Sequence, residues 1–181
     1  MRIINDDFLD YTRPQEDIKP TTNAPVIFGQ GVGAVSFQDL RWGFKKWDGN
    51  GVIINARAET LETKDMFSRL LAVGRCVVPA SEYYEWKNKA KHLIKDKDGN
   101  LLFMAGLYRE GEKGREFVII TKDAEGDITD IHDRMPVILH ASQVEDWLIG
   151  KLSPDEVVKH MFNAQVEPCD GEMVQLDIFG N

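Results

Sequence analysis

Apolar positions along this chain recur every second residue in some stretches and every third or fourth in others, and the switches mark its elements. "APVIFG" (24–29) and "GAVSFQDLRWGF" (33–44) mix β-branched and aromatic residues with glycine, which predicts strands. "KKWDGNG" (45–51) predicts a turn, since Asp-Gly and Asn-Gly supply the conformations that tight turns need. "VIINA" (52–56) predicts a short buried strand. Across 59–74 the period lengthens: Leu61, Met66, Leu70 and Leu71 predict a helix with Gly74 at its C-terminal cap. "RCVVPASEYYEW" (75–86) returns to β, with Glu82, Tyr84 and Trp86 facing one way and Ser81, Tyr83 and Glu85 the other. Residues 91–108 predict a hairpin turning at Asp98-Gly99, and "REFVIIT" (115–121) a strand. "SQVEDWLIG" (142–150) predicts a short helix capped by Ser142. "SPDEVVKHMF" (153–162) predicts another, with Ser153 as cap, Pro154 at the first helical position and Glu156 closing a capping box. "GEMVQLDIF" (171–179) predicts a last strand. The sum is one α+β domain over residues 1–181, β-rich in its middle, without repeats or linkers.

Length and composition agree. A chain of 181 residues, 43% hydrophobic and 29% charged, has the makings of one soluble domain with a proper core. It has no apolar run long enough to span a bilayer, and "MRIINDDFLDYT" lacks the apolar centre of a signal peptide. A cytoplasmic protein is expected. Cys76 and Cys169 have no metal-ligand spacing and read as small inert residues; neither a metal nor a cofactor is expected. The net charge of −8 argues against nonspecific nucleic-acid binding by the chain as a whole. The charge is uneven, though. Residues 41–91 hold 10 Lys and Arg against 6 Asp and Glu, a net of +4, whereas residues 92–181 hold 9 against 18, a net of −9. This basic island also contains Trp42, Trp47 and Trp86.

Three segments hold polar residues where packing alone would not put them. In "INARAET", Asn55, Arg57 and Glu59 are spaced by two and project to one side if the strand continues. An amide beside a guanidinium can orient a phosphate or carbonyl oxygen, while solvated polar groups capping a strand end would read the same way. In "SEYYEWK", Glu85 lies between two large aromatics. Such a carboxylate loses hydration and its pKa rises, which suits proton transfer; a water-facing glutamate paired with Lys87 is the alternative. In "IHDRMPVIL", His132 precedes a segment that Pro136 keeps from being helical, and it is either a proton-transfer group or a structural residue. His92, His140 and His160 read as surface residues.

Taken in order, "WGF", "INARAET", "MF", "RCVVPASEYYEWK" and "IHDRMPVIL" closely resemble the SOS response-associated peptidase (SRAP) family, from about residue 18 to about residue 148. The resemblance implies the family's α+β fold, a mostly antiparallel, barrel-like β core flanked by helices. It also implies sensing of abasic sites in single-stranded DNA. In that family a cysteine exposed by loss of the initiator methionine closes a thiazolidine with the sugar aldehyde, leaving a DNA–protein crosslink, and the same cysteine is tied to autoproteolysis. Carried over by motif, Asn55 positions the sugar, Arg57 grips a phosphate, Glu85 transfers protons and His132 assists ring opening, with Asp133 and Arg134 holding its loop. The basic island fits that role: Arg41, Lys45, Lys46, Arg69 and Arg75 are candidate phosphate contacts, and Arg57, Met66, Phe67 and Arg134 join them as expected DNA contacts. Trp42 is expected to stack on a base or wedge a strand end, with a core position as the alternative, and Trp86 is expected in the core. The partner implied is single-stranded DNA with abasic sites, with no membrane and no small-molecule cofactor, bound by a monomer.

The family pattern begins Met-Cys-Gly-Arg; here Arg2 takes the cysteine's place, and the segment before "IKPTTNAPVI" is apparently shortened. Neither Cys76 nor Cys169 carries a free α-amine. The thiazolidine cannot be written for the sequence as given: a start assigned too far downstream, a truncation or a true loss would each account for it, and the presence of Asn55, Glu85 and His132 together favours the first two over loss. Without the cysteine, an amine could still form a Schiff base and Glu85 promote β-elimination. Two rival readings are a non-catalytic module binding single strands or junctions, and a hydrolase using Glu85 and His132. The second lacks a Gly-x-Ser-x-Gly or His-Glu-x-x-His signature.

Overall fold

Alternation along the long strands divides the core in two. The computed structural model describes residues 17–29, 31 and 34–169. On β1 (Asn23–Gly29), Val26 and Phe28 join one apolar cluster and Ile27 the other. β6 (Arg75–Ala80) does the same with Cys76 and Val78 against Val77. So do β9 (Leu102–Gly111), with Leu102 and Met104 against Phe103 and Ala105, and β10 (Gly114–Asp123), with Phe117 and Ile119 against Val118 and Ile120. Burial on both faces is why these strands read as almost continuous apolar runs. β2 (Val35–Trp42) is the exception: Leu40 and Trp42 are buried while Phe37, Gln38 and Asp39 face solvent.

These five strands close into a barrel. β1 pairs with β2 and β6, β6 with β9 and β9 with β10, all antiparallel; β10 completes the circuit by pairing parallel to β2 at Glu116–Arg41 and Phe117–Trp42. Closure removes the unpaired edges that an open sheet would expose. The cluster holding Val26, Leu40, Trp42, Cys76, Met104 and Phe117 draws on all five strands and fills the interior. Gly106 keeps that interior tight, since a Cβ there would come within 2.8 Å of the Val118 carbonyl oxygen and 2.9 Å of Cys76 Sγ. The second cluster packs the outer face beneath helices α1 (Asp65–Val73), α2 (Val144–Leu148) and α3 (Pro154–Val157).

Short strands decorate the barrel. β3 (Phe44–Lys45) and β4 (Val52–Ile53) form a finger whose tip is the predicted turn, with Gly49 and Gly51 in the left-handed region. β5 (Asn55–Arg57) and β11 (Arg134–Pro136) both pair with β10, and β12 (Ile138–Leu139) pairs with β9. A separate sheet is built from β7 (Glu82–Lys87), β8 (Ala90–Asp96) and β13 (Ala164–Pro168).

The predicted α+β fold with a mostly antiparallel, barrel-like core is the one observed; several local expectations are corrected. The turn at Asp98-Gly99 forms, with Gly99 at φ +75° and the Asp96 carboxylate accepting the Asp98 and Asn100 amides. Yet it joins two sheets and closes no hairpin. β8 pairs with β7 through the turn at Asn88-Lys89, where both residues have positive φ, while β9, apolar on both faces, is drawn into the barrel. The helix predicted from residue 59 starts only at Asp65, after a 3-10 turn at Ala58–Thr60. Gly74 ends it, with φ at −131°, outside the left-handed region. A Cβ there would lie 2.3 Å from the Tyr108 carbonyl oxygen, so close approach is what requires glycine. The cap before α2 is His140, whose Nδ1 accepts the Ser142 amide, not Ser142 itself. The Ser153–Glu156 capping box is present as predicted. The strand predicted at 171–179 and the segment around Arg2 lie outside the described residues.

Candidate functional site

The C-terminal end of β10 gathers two of the three polar segments. On one side β5 runs parallel to it, setting Asn55 opposite Ile119 and Arg57 opposite Thr121. On the other side β11 runs antiparallel, setting Pro136 opposite Thr121 and Arg134 opposite Asp123. "INAR" and "DRMP" therefore flank the same few residues, although some 75 positions separate them in the chain. Asn55 is half-buried, Ala56 packs into the outer core and Arg57 is exposed, as strand alternation requires.

The strand stops at Arg57, so Glu59 does not continue its row. It sits in the 3-10 turn, and there both its oxygens accept from Arg134, Oε1 from Nη1 at 2.9 Å and Oε2 from Nη2 at 3.0 Å. Arg134 also donates to the Thr121 carbonyl at 2.9 Å and to the Asp123 carboxylate, and its side chain is only 11% exposed. Burial by itself would raise the Glu59 carboxyl. The hydrogen bond and charge of Arg134, with help from its own backbone and Arg57, outweigh burial and hold it below the usual carboxylate range. Both Nη groups of Arg134 are thus engaged inside the molecule, tying the Asn55 segment to the His132 segment, while its Nε is buried without a partner.

His132 follows the 3-10 turn Gly126–Asp130, and its amide donates to the Ile128 carbonyl. Its Nδ1 lies 2.9 Å from the Arg134 amide and 2.9 Å from Asp133 Oδ1. The two contacts make opposite demands: the amide needs a lone pair on Nδ1 and the carboxylate needs a proton. We give the amide priority, because the backbone fixes it, whereas Asp133 is exposed and hydrated. With Nδ1 accepting that amide, the ring carries its proton on Nε2.

Glu85 occupies the buried face of β7 at 2% exposure, as the alternation predicted, and the water-facing alternative is excluded. Tyr83 shares that face; Tyr84 and Trp86 occupy the other and are half-buried. Tyr83 packs in the barrel-interior cluster, which also takes in Ile54, next to Asn55, and Met135, next to Arg134. This cluster is the common floor of the three polar segments.

The expected DNA contacts separate into buried and exposed. Trp42 is 8% exposed inside the barrel, stacked on Phe117 at 6.2 Å with its indole N–H donated to the Ile54 carbonyl, so it has no face to offer a base. Phe67 is buried on the inner side of α1, and Met66 packs against the same cluster, its Sδ 3.8 Å from Arg109 Nη1. Arg75 lies 4.3 Å over the Trp147 ring and donates to the carbonyls of Leu71, Trp147 and Leu152, a structural clamp between helices. Arg57 and Arg69 are exposed. Lys45 reaches Glu112 at 2.9 Å with half its side chain in solvent, and Arg41 lies 3.8 Å from Glu116. The residue sequence reasoning passed over is Trp47, 100% exposed at the tip of the β3–β4 finger. A tryptophan between lysine and Asp-Gly in a turn has no core to enter, and that was the available signal. Buried Glu116 anchors the finger, accepting the Lys45 amide and two bonds from Arg109.

Among the described residues no group of three or more His, Cys, Asp or Glu is placed to hold a metal ion, and no helix is long and apolar enough to cross a membrane. The family described as SOS response associated peptidase (SRAP) matches residues 4–177. The abasic site processing protein YoqW of Bacillus subtilis is 34% identical over 174 residues, spanning 88% of this chain and 75% of its own. The abasic site processing protein YedK of Escherichia coli is 33% identical over 124 residues, spanning 64% and 56%. Among solved structures, a phage-related protein of Bordetella bronchiseptica superimposes with a TM-score of 0.73 at 25% identity, covering 92% of this chain and 90% of that one.

Proposed function

The chain belongs to the SOS response-associated peptidase family, and on that premise we propose that it recognises abasic sites in single-stranded DNA and reacts with their ring-opened aldehyde through Asn55, Glu85 and His132. The observation that carries this reading is the meeting of the Asn55–Arg57 and His132–Arg134 segments at one end of β10, tied together by Glu59 and Arg134. Ring opening needs a proton delivered to the ring oxygen and one removed from the C1′ hydroxyl. His132, with its Nε2 proton, supplies the first and the buried Glu85 takes the second. Asn55 orients the sugar, and Arg57, exposed beside it, holds a flanking phosphate. An amine then adds to the aldehyde and loses water to give a Schiff base. A thiazolidine requires a thiol on the same residue as that amine. Glu85 serves a second time if it removes a C2′ proton, expelling the 3′ phosphate by β-elimination; lyase activity rests on this set, and autoproteolysis on the family's cysteine.

Binding rests on Arg41, Lys45, Arg57 and Arg69 for phosphates and on Trp47 for stacking. The test is a denaturing gel of the chain with single-stranded DNA carrying one abasic site, run with and without borohydride. A borohydride-dependent adduct is expected, reduced about 100-fold in rate by Glu85→Gln or His132→Gln. A shift that survives denaturation without reductant would show a trap beyond an amine. No adduct under either condition, with single-strand binding indifferent to the lesion, would overturn the reading in favour of a binding module.

A further inference from the structure

Strand alternation places Tyr83 and Glu85, two residues apart on β7, on one buried face. Tyr83 is 9% exposed, and its surroundings are apolar: Ile94 stands opposite on β8, and Ile128 and Met135 join the same cluster. Its hydroxyl has no hydrogen-bond partner. That is unfavourable, because a phenylalanine would fill nearly the same volume without stranding a polar group. Of the buried indole N–H groups, Trp42 Nε1 reaches the Ile54 carbonyl and Trp147 Nε1 that of Cys76, while Trp86 Nε1, on the other face of β7, is unpaired like the Tyr83 hydroxyl. Burial first, and the Glu85 carboxylate second, push the Tyr83 phenol well above its ordinary range. It therefore stays an O–H, a hydrogen-bond donor, at any pH the protein meets.

A fixed donor next to a buried carboxylate, in an apolar surround, fits an oxygen that is first a hydroxyl and then a carbonyl. We propose that Tyr83 is a further catalytic residue, its hydroxyl donating to the C1′ oxygen of the abasic sugar. This rests on the reading given above. Glu85 removes the proton of the C1′ hydroxyl, the ring C1′–O4′ bond breaks, and O4′ takes the Nε2 proton of His132. The new aldehyde oxygen stays hydrogen-bonded to Tyr83, which polarises the carbonyl as the amine adds.

The experiment compares wild type and Tyr83→Phe on two oligonucleotides, one with a natural abasic site and one with its tetrahydrofuran analogue, which lacks the C1′ oxygen. Borohydride-trapped adduct formation should slow at least 10-fold in Tyr83→Phe. Its affinity should fall for the natural site and stay unchanged for the analogue, which a merely structural role would not produce. The melting temperature should hold or rise, since the change removes a buried unpaired hydroxyl. Replacement by 3-fluorotyrosine, which keeps the shape and strengthens the donor, should raise the rate. Equal rates in both variants, with Tyr83→Phe weakening both oligonucleotides alike or neither, would overturn the proposal and leave Tyr83 as packing. A wild type that forms no adduct would overturn it together with the functional reading, so the two failures are distinguishable.

Discussion

Two residues 75 positions apart decide how the candidate site is held. Glu59 and Arg134 form a two-pronged pair across the end of β10, and such forks fix orientation as well as energy. Glu59→Gln keeps the shape and removes the charge. Half of the Glu59 side chain is in solvent, so the stability cost should be only about 1 kcal/mol, read from urea melts. Its pH dependence has a definite sign. The folded state holds the Glu59 carboxyl below its ordinary value, so its contribution is complete above the carboxylate range and fades as pH falls through that range and below. Wild type and Glu59→Gln should therefore differ at pH 7 and converge in acid. Adduct formation should suffer more than stability, since the Asn55 and His132 segments lose their tie. The motif spacing made Glu59 and Arg134 visible as polar residues of interest. That they face each other was invisible, because it depends on where two distant strands land on a third.

At the scale of elements, local signals succeeded where the physics is local. The Ser153 capping box formed as its four residues specify, and Glu85 took the buried side of β7 because strand geometry alternates. The turn at Asp98-Gly99 also formed, but turn chemistry says nothing about which strands then pair. β9 left β8 for β6, β10 and β12 because its two apolar faces are satisfied only in the barrel. Gly74 shows the same limit in a single residue. It was placed correctly as the end of a helix and for the wrong reason: Tyr108 donates its amide to the Gly74 carbonyl at 2.7 Å, and the backbones meet too closely for any Cβ. Gly74→Ala should cost roughly 2–4 kcal/mol, well beyond the propensity effect of the change, which by itself would stabilise a helix end. Thermal melts decide it; a neutral result would mean that β9 and the end of α1 can separate at little cost.

For the whole molecule the relevant quantity is how charge is distributed over a closed barrel. The net charge is −8, yet the basic island supplies exposed Arg57, Arg69 and Lys45 and the projecting Trp47. Single-strand binding should weaken steeply with salt, with a slope set by the few phosphates engaged. Trp47→Ala should lower affinity by about 1–3 kcal/mol, the worth of one stacked base, without changing that slope; Trp42→Phe should act on stability and leave affinity alone. Fluorescence titrations at several salt concentrations separate the two effects. By itself the sequence determined the class of fold, the strand faces, the Ser153 capping box and the identity of the polar segments, because period, turn chemistry and capping act within a few residues. Only the tertiary structure decided which basic and aromatic side chains remain available to a partner. Closing five strands around Trp42 and packing helices over Phe67 and Arg75 consumed groups that the sequence counted as surface, since burial is settled by contacts between segments far apart in the chain.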